Sequence, residues 1–137
     1  MSSYPVLLHT AIDARDCREV AEVYRQLLGF HYREGEEPPT DGSRDDTDWL
    51  VLLDVNGNRV VTVQEKKDAM AQTWPSEDVP MQMHMDFKVR TVEDLERHRE
   101  HAEKLGARLL YDRSRDEGEP LYVFADPAGH PFRLLVQ

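Results

Sequence analysis

The sequence predicts an α+β fold in which two βαβββ modules form a curved mixed β-sheet within one domain spanning residues 1–137. Three observations carry this expectation. Two segments have helical periodicity, each with a capping residue in front and a glycine behind. The remaining chain is short apolar or alternating runs parted by turn residues. The whole order of signals then occurs twice.

The first run, Val6–Ile12, reads as a strand. Asp16 followed by Glu19 has the spacing of a capping box, and Val20, Val23, Tyr24, Leu27 and Leu28 recur at helical spacing before Gly29. Phe30–Arg33, Trp49–Asp54 and Arg59–Gln64 read as the next three strands, the last two joined through the Asn56-Gly57 turn. Glu65–Pro80, rich in charge and ending in proline, reads as a linker between module one (1–64) and module two (81–137). Met81–Val89 opens the second module as a strand. Thr91 caps a helix whose stripe is Val92, Leu95, Ala102 and Leu105, and Gly106 ends it. Arg108–Asp112, Leu121–Ala125 and Pro131–Val136 complete the set. The repeat is also visible in residues. His9 lies 20 residues before Gly29 and His84 lies 22 before Gly106, while Asp54-x-x-Gly57 echoes Asp126-x-x-Gly129.

Composition narrows the function classes. Seventeen Lys and Arg stand against 27 Asp and Glu, for a formal charge of -10. This balance argues against nucleic acid and anionic membranes as partners, since both require clustered cations. No apolar run is long enough to span a bilayer, and Met1–Pro5 has neither the basic nor the apolar region of a leader. The lone Cys17 cannot make an internal disulfide, so a cytoplasmic location is expected. Residues 34–48 hold seven acids and one base, together with Pro38, Pro39 and Gly42. They read as an exposed, mobile loop. A lid or an attractor for a cationic ligand is the functional alternative to an ordinary solvated loop, which is the preferred reading.

Alternation assigns faces to the strands. Met83, Met85, Phe87 and Val89 fall on one face, opposite Gln82, His84, Asp86 and Lys88. Val61 and Val63 oppose Thr62 and Gln64; Phe132, Leu134 and Val136 oppose Arg133; Val6, Leu8 and Ile12 oppose His9. With the apolar sets against the helices, His9, Gln64, His84 and Arg133 share the other face as a polar-lined concavity. Trp49 reads either as a wall on which a flat ligand stacks or as core.

A paired βαβββ with a histidine in each first strand resembles the vicinal oxygen chelate superfamily, which includes glyoxalase I, bleomycin-resistance proteins and extradiol dioxygenases. The residues that carry the resemblance are Leu8-His9-Thr10, Arg59-Val60-Val61-Thr62-Val63-Gln64, His84-Met85-Asp86-Phe87 and Asp126-Pro127-Ala128-Gly129-His130-Pro131-Phe132, in order along nearly the whole chain. The resemblance implies the glyoxalase/bleomycin-resistance/dioxygenase fold, a homodimer, and a site on the strand faces. It also implies a divalent ion (zinc, nickel, iron or manganese) on His9, Gln64 and His84, with a fourth ligand at the position that Arg133 occupies here. Arginine has only donors and a permanent positive charge, so it cannot ligate a cation. Arg133 reads instead as a clamp for a ligand carboxylate or phosphate, or as the salt-bridge partner of Asp86 or another acid.

The resulting expectation is a glyoxalase/bleomycin-resistance-like small-molecule-binding protein whose pocket is lined by His9, Gln64, His84, Arg133 and Trp49, without a complete catalytic metal site. A divalent-metal-dependent lyase or isomerase is the first alternative, and a non-catalytic interaction module the second. Catalytic residues are not assigned. Met81, Met83 and Met85 read as core rather than a soft-metal site, His98 and His101 as an exposed helix face, and His130 as a loop residue. Trp74 reads as a ligand-stacking residue or a linker anchor, and Cys17 as structural.

Overall fold

The computed structural model describes residues 3–137. It divides into two compact units, Met1–Ala69 and Met70–Gln137, the division falling within the expected linker. Each unit is a βαβββ module with its own four-stranded mixed sheet.

In the first unit β1 (Thr10–Ala14), β2 (His31–Tyr32), β3 (Trp49–Leu53) and β4 (Arg59–Glu65) are ordered β1-β4-β3-β2, with α1 (Cys17–Leu28) packed on β3 and β4. The Asp16 side chain accepts from the Glu19 N–H at 3.1 Å, and Gly29 closes α1 in the left-handed region. The helix buries Val20, Val23, Tyr24 and Leu27, and the sheet supplies Leu50, Leu52, Val61 and Val63, all fully buried. Burying side chains of this size contributes about 1.5–3 kcal/mol each.

The second unit repeats the plan. β5 (Met85–Val89), β6 (Arg108–Arg113), β7 (Leu121–Ala125) and β8 (Pro131–Val136) are ordered β5-β8-β7-β6. α2 (Val92–Leu105) is capped by Thr91 Oγ1, which accepts from the Asp94 N–H at 3.0 Å, and is closed by Gly106. Phe124 stacks on Phe132, which meets Phe87 edge-on, and Leu95 and Ala102 are the fully buried residues of α2. Val92, expected in the buried stripe, is exposed. The two Asp-x-x-Gly turns are built alike. Asp54 Oδ1 accepts from the N–H groups of Asn56 and Asn58, and Asp126 Oδ1 from those of Ala128 and His130.

Two strands are shorter than the sequence suggests, for the same reason. β1 runs parallel to β4 with Thr10 opposite Val61, so counting back puts Val6 opposite the Gly57 turn, where no ladder exists. Val6 and Leu8 are exposed instead of facing α1, and Leu7 between them is exposed too. β5 runs parallel to β8 with Met85 opposite Phe132, and β8 begins at Pro131, which has no N–H to donate. The strand therefore starts at Met85. Met83 is 71% exposed rather than core. In the 34–48 stretch most residues are exposed, but it is tied down. Arg18 donates to the Glu36 carbonyl at 2.7 Å and to Asp45 at 2.8 Å, and Glu36 Oε1 accepts from the Val51 N–H at 3.0 Å. Among the described residues no helix is long and apolar enough to cross a membrane.

Candidate functional site

The second sheet positions a pocket of about 540 Å³ on one of its faces. In the antiparallel ladders Arg133 lies opposite Val123, Leu121 opposite Leu135, Tyr111 opposite Val123 and Arg113 opposite Leu121. Residues directly opposite share a face, and these alternate with Phe132, Leu134 and Phe124, which build the buried core. Arg113, Tyr111, Leu121, Val123 and Arg133 thus line the pocket from three adjacent strands. Trp74, Met81, His84 and Pro131 complete the lining. Trp74 packs on the Leu121, Val123 and Leu135 cluster and meets Tyr111 edge-on, with ring centroids 5.4 Å apart. The lining is mainly apolar with a few polar groups, and ligand pockets of ~300–1,000 Å³ commonly have this composition.

One wall carries a clamp. Asp86 and Arg133 stand opposite each other in the parallel β5–β8 ladder. Arg133 Nε and Nη2 donate to Asp86 Oδ1 and Oδ2, both at 2.7 Å, and His84 Nδ1 lies 2.9 Å from Oδ1. The bond from Arg133 holds the Asp86 carboxyl below its ordinary value against an opposing effect of burial. Asp86 in turn raises the Arg133 guanidinium above its ordinary value. The salt-bridge reading of Arg133 therefore describes its protein contacts. The same residue also lines the pocket.

This arrangement does not fit a divalent ion in the second unit. Both Asp86 oxygens are committed to Arg133, and one His84 nitrogen faces the same carboxylate. A guanidinium beside a cation would repel it. Among the described residues no three His, Cys, Asp or Glu side chains form a group that could hold a metal.

The remaining expected residues gather in the first unit. His9 immediately precedes β1, as His84 immediately precedes β5. Its ring meets Trp49 edge-on at 5.8 Å, and its Nδ1 is buried without a hydrogen-bond partner. Gln64 is exposed, opposite Trp49 in one ladder and Asp13 in the other. His9, Trp49 and Gln64 thus lie together in the first unit, and His84 and Arg133 in the second.

Sequence reasoning left Tyr111, Arg113 and Met81 out of the pocket and gave Trp74 only as one of two readings. Met81 was assigned to the core on the helix side and is found in the same pocket as His84, because β5 starts after both. Tyr111 and Arg113 are two residues apart on β6, a spacing that could have been read. A register shift between Leu109 and Tyr111 hides it: Leu109 pairs with Phe124 in the core, whereas Leu110 packs on the pocket-side cluster. Cys17 is buried, donates to the Thr47 carbonyl, and has its thiol pushed up to about 12, chiefly by burial. His130 faces Gln72 at 2.9 Å.

The fold is shared with several solved structures of low sequence identity. A glyoxalase/bleomycin resistance protein/dioxygenase family enzyme from Burkholderia phytofirmans PsJN is 19% identical with a TM-score of 0.67, covering 94% of this chain and 96% of that one. The fosfomycin resistance protein FosX from Listeria monocytogenes is 16% identical with a TM-score of 0.68, covering 98% and 94%. A mutant of that FosX, solved with Mn(II) and 1S,2S-dihydroxypropylphosphonic acid, is 18% identical with a TM-score of 0.67, covering 99% and 93%. No curated protein sequence matches the chain. The family model described as "Glyoxalase-like domain" matches residues 9–135. This chain therefore belongs to the glyoxalase-like domain family of the vicinal oxygen chelate superfamily.

Proposed function

We propose that this glyoxalase-like protein binds a small organic molecule in the pocket of its second sheet, and that it does so without a catalytic divalent metal. The observation that carries the reading is the pocket itself, with Trp74, Tyr111, Leu121 and Val123 as apolar surface and His84 and Arg133 held on one wall by Asp86. Apolar walls supply affinity, and fixed polar groups supply orientation at little entropic cost. The Asp86 carboxylate orients both side chains, accepting from Arg133 Nε and Nη2 and standing 2.9 Å from His84 Nδ1. His9, Gln64 and Trp49 are assigned to the same binding function in the first unit, and a homodimer is the expected assembly. A cytoplasmic location fits the lone, buried Cys17.

The second reading is a divalent-metal-dependent lyase or isomerase. In its favour are the buried, unpartnered His9 Nδ1 and the Mn(II) named with the FosX mutant. It requires Arg133 to leave Asp86. Thermal unfolding across divalent metals after chelation, in wild type and in His9→Ala/His84→Ala, separates the two. A binder shows no metal-dependent rise in stability and is stabilised by organic ligands in the presence of chelator. A rise with one metal, absent from the double variant, would move the assignment to the metalloenzyme.

A further inference from the structure

We infer that the ligand of this pocket is an organic anion with a flat apolar body, and that Arg113 is the residue that recognises its charge; the inference rests on the proposed binding function. The chain carries 27 acids against 17 Lys and Arg, yet the residues lining the pocket include two arginines, one histidine and no acid. A cation-lined concavity in an acidic protein selects against the cationic ligands that the outer surface would attract, because walls of low dielectric focus the local field.

The two arginines are not equivalent. Arg133 spends its Nε and Nη2 donors on Asp86 in a two-point bond at 2.7 Å, so its charge is largely compensated. Arg113 makes one side-chain hydrogen bond, from Nη2 to Asp116 Oδ2 at 3.4 Å. That carboxylate is engaged elsewhere: its Oδ1 accepts from the N–H groups of Gly118 and Glu119, which define the turn. Arg113 therefore keeps most of its planar fork available at the pocket, and such a fork matches the two oxygens of a carboxylate or phosphonate. The apolar part of the ligand follows from its neighbours. Trp74 and Tyr111 meet at 61°, with Leu121 and Val123 beneath, offering aromatic and aliphatic surface two residues along β6 from the arginine. A flat body covers such surface at little conformational cost.

The test is calorimetric titration of the full chain, in chelator, with naphthalene-2-carboxylate and with its neutral amide. The expected result is at least tenfold tighter binding of the carboxylate. Arg113→Gln should bring the two affinities together, chiefly by weakening the carboxylate about tenfold, and Arg113→Lys should restore part of the preference. Because the Arg113 side chain is 61% exposed, these variants should retain wild-type unfolding curves, which checks that they fold. Equal binding of acid and amide by the wild type overturns the inference but leaves the pocket reading standing. A preference that survives Arg113→Gln and disappears in Arg133→Gln overturns the assignment to Arg113. Binding of neither compound overturns both this inference and the pocket as a site for flat molecules.

Discussion

The matched Asp-x-x-Gly turns allow one substitution to be compared with itself in two settings. Gly57 and Gly129 have φ values of 80° and 91°, and in both turns the glycine N–H donates to the aspartate carbonyl, at 3.0 and 2.8 Å. An alanine in the left-handed region costs about 1–2 kcal/mol, offset by roughly 0.4–1 kcal/mol from the stiffer unfolded chain. At Gly57 nothing lies within 4 Å of an added Cβ, so Gly57→Ala should cost only the net of these two, about 0–1.6 kcal/mol. At Gly129 an added Cβ would stand 2.8 Å from Ala71 Cβ and 3.0 Å from the Gln72 nitrogen. The first is a methyl fixed rigidly to its backbone and the second is backbone itself, so neither can swing aside; overpacking adds about 1–3 kcal/mol and the total becomes ~1–5 kcal/mol. The chain has two tryptophans, Trp49 in one unit and Trp74 in the other. Urea unfolding followed in Trp74→Phe and Trp49→Phe backgrounds therefore reports each unit separately. Because residues 71–72 lead directly to Trp74, Gly129→Ala should also weaken ligand binding. Equal destabilisation by the two alanines would refute the packing argument.

Other expectations concern the tethered loop, the thiol and the clamp. Arg18→Ala removes the ties to Glu36 and Asp45, and cleavage by trypsin after the exposed Arg44 should accelerate severalfold with little change in global stability. Cys17, with its thiol pushed up to about 12, should react with a disulfide reagent at neutral pH only as fast as the first unit unfolds, and rapidly in denaturant. A folded-state Asp86 value below the ordinary one means its stabilisation is complete above the usual carboxylate range and is lost as the pH falls through it. Wild type should therefore exceed Arg133→Gln in stability at neutral pH by only about 0.5–1 kcal/mol, since the pair is partly exposed, and the two should converge in acid. A constant difference down to low pH would assign the effect to packing.

Much of the fold was legible because its signals are local. Asp16 with Gly29 and Thr91 with Gly106 mark both helices at the positions the structure gives them, as each cap is made by residues within one turn. The Asp54 and Asp126 turns were readable for the same reason. Strand limits were not. Whether Val6 or Met83 joins a sheet depends on where the partner strand begins, and the apolar pattern carries no trace of Gly57 or Pro131 standing opposite. Alternation correctly sets Arg133 apart from Phe132 and Leu134, and a salt bridge to Asp86 is one of the two roles the sequence offers it. Arg113 escaped notice because the irregularity at Leu109–Tyr111 breaks the period-two pattern on which faces were assigned.

Trp74 lines the pocket of the second sheet and reports directly on binding there. The measurement is Trp74 fluorescence in Trp49→Phe, titrated with organic anions in chelator and repeated with Met81→Glu added, which blocks the pocket by placing a carboxylate at a partly exposed position of its lining. A saturable change is expected in the first protein and none in the second, with both remaining folded. A response that survives the blocked pocket, or that requires an added divalent metal, would contradict the proposed function.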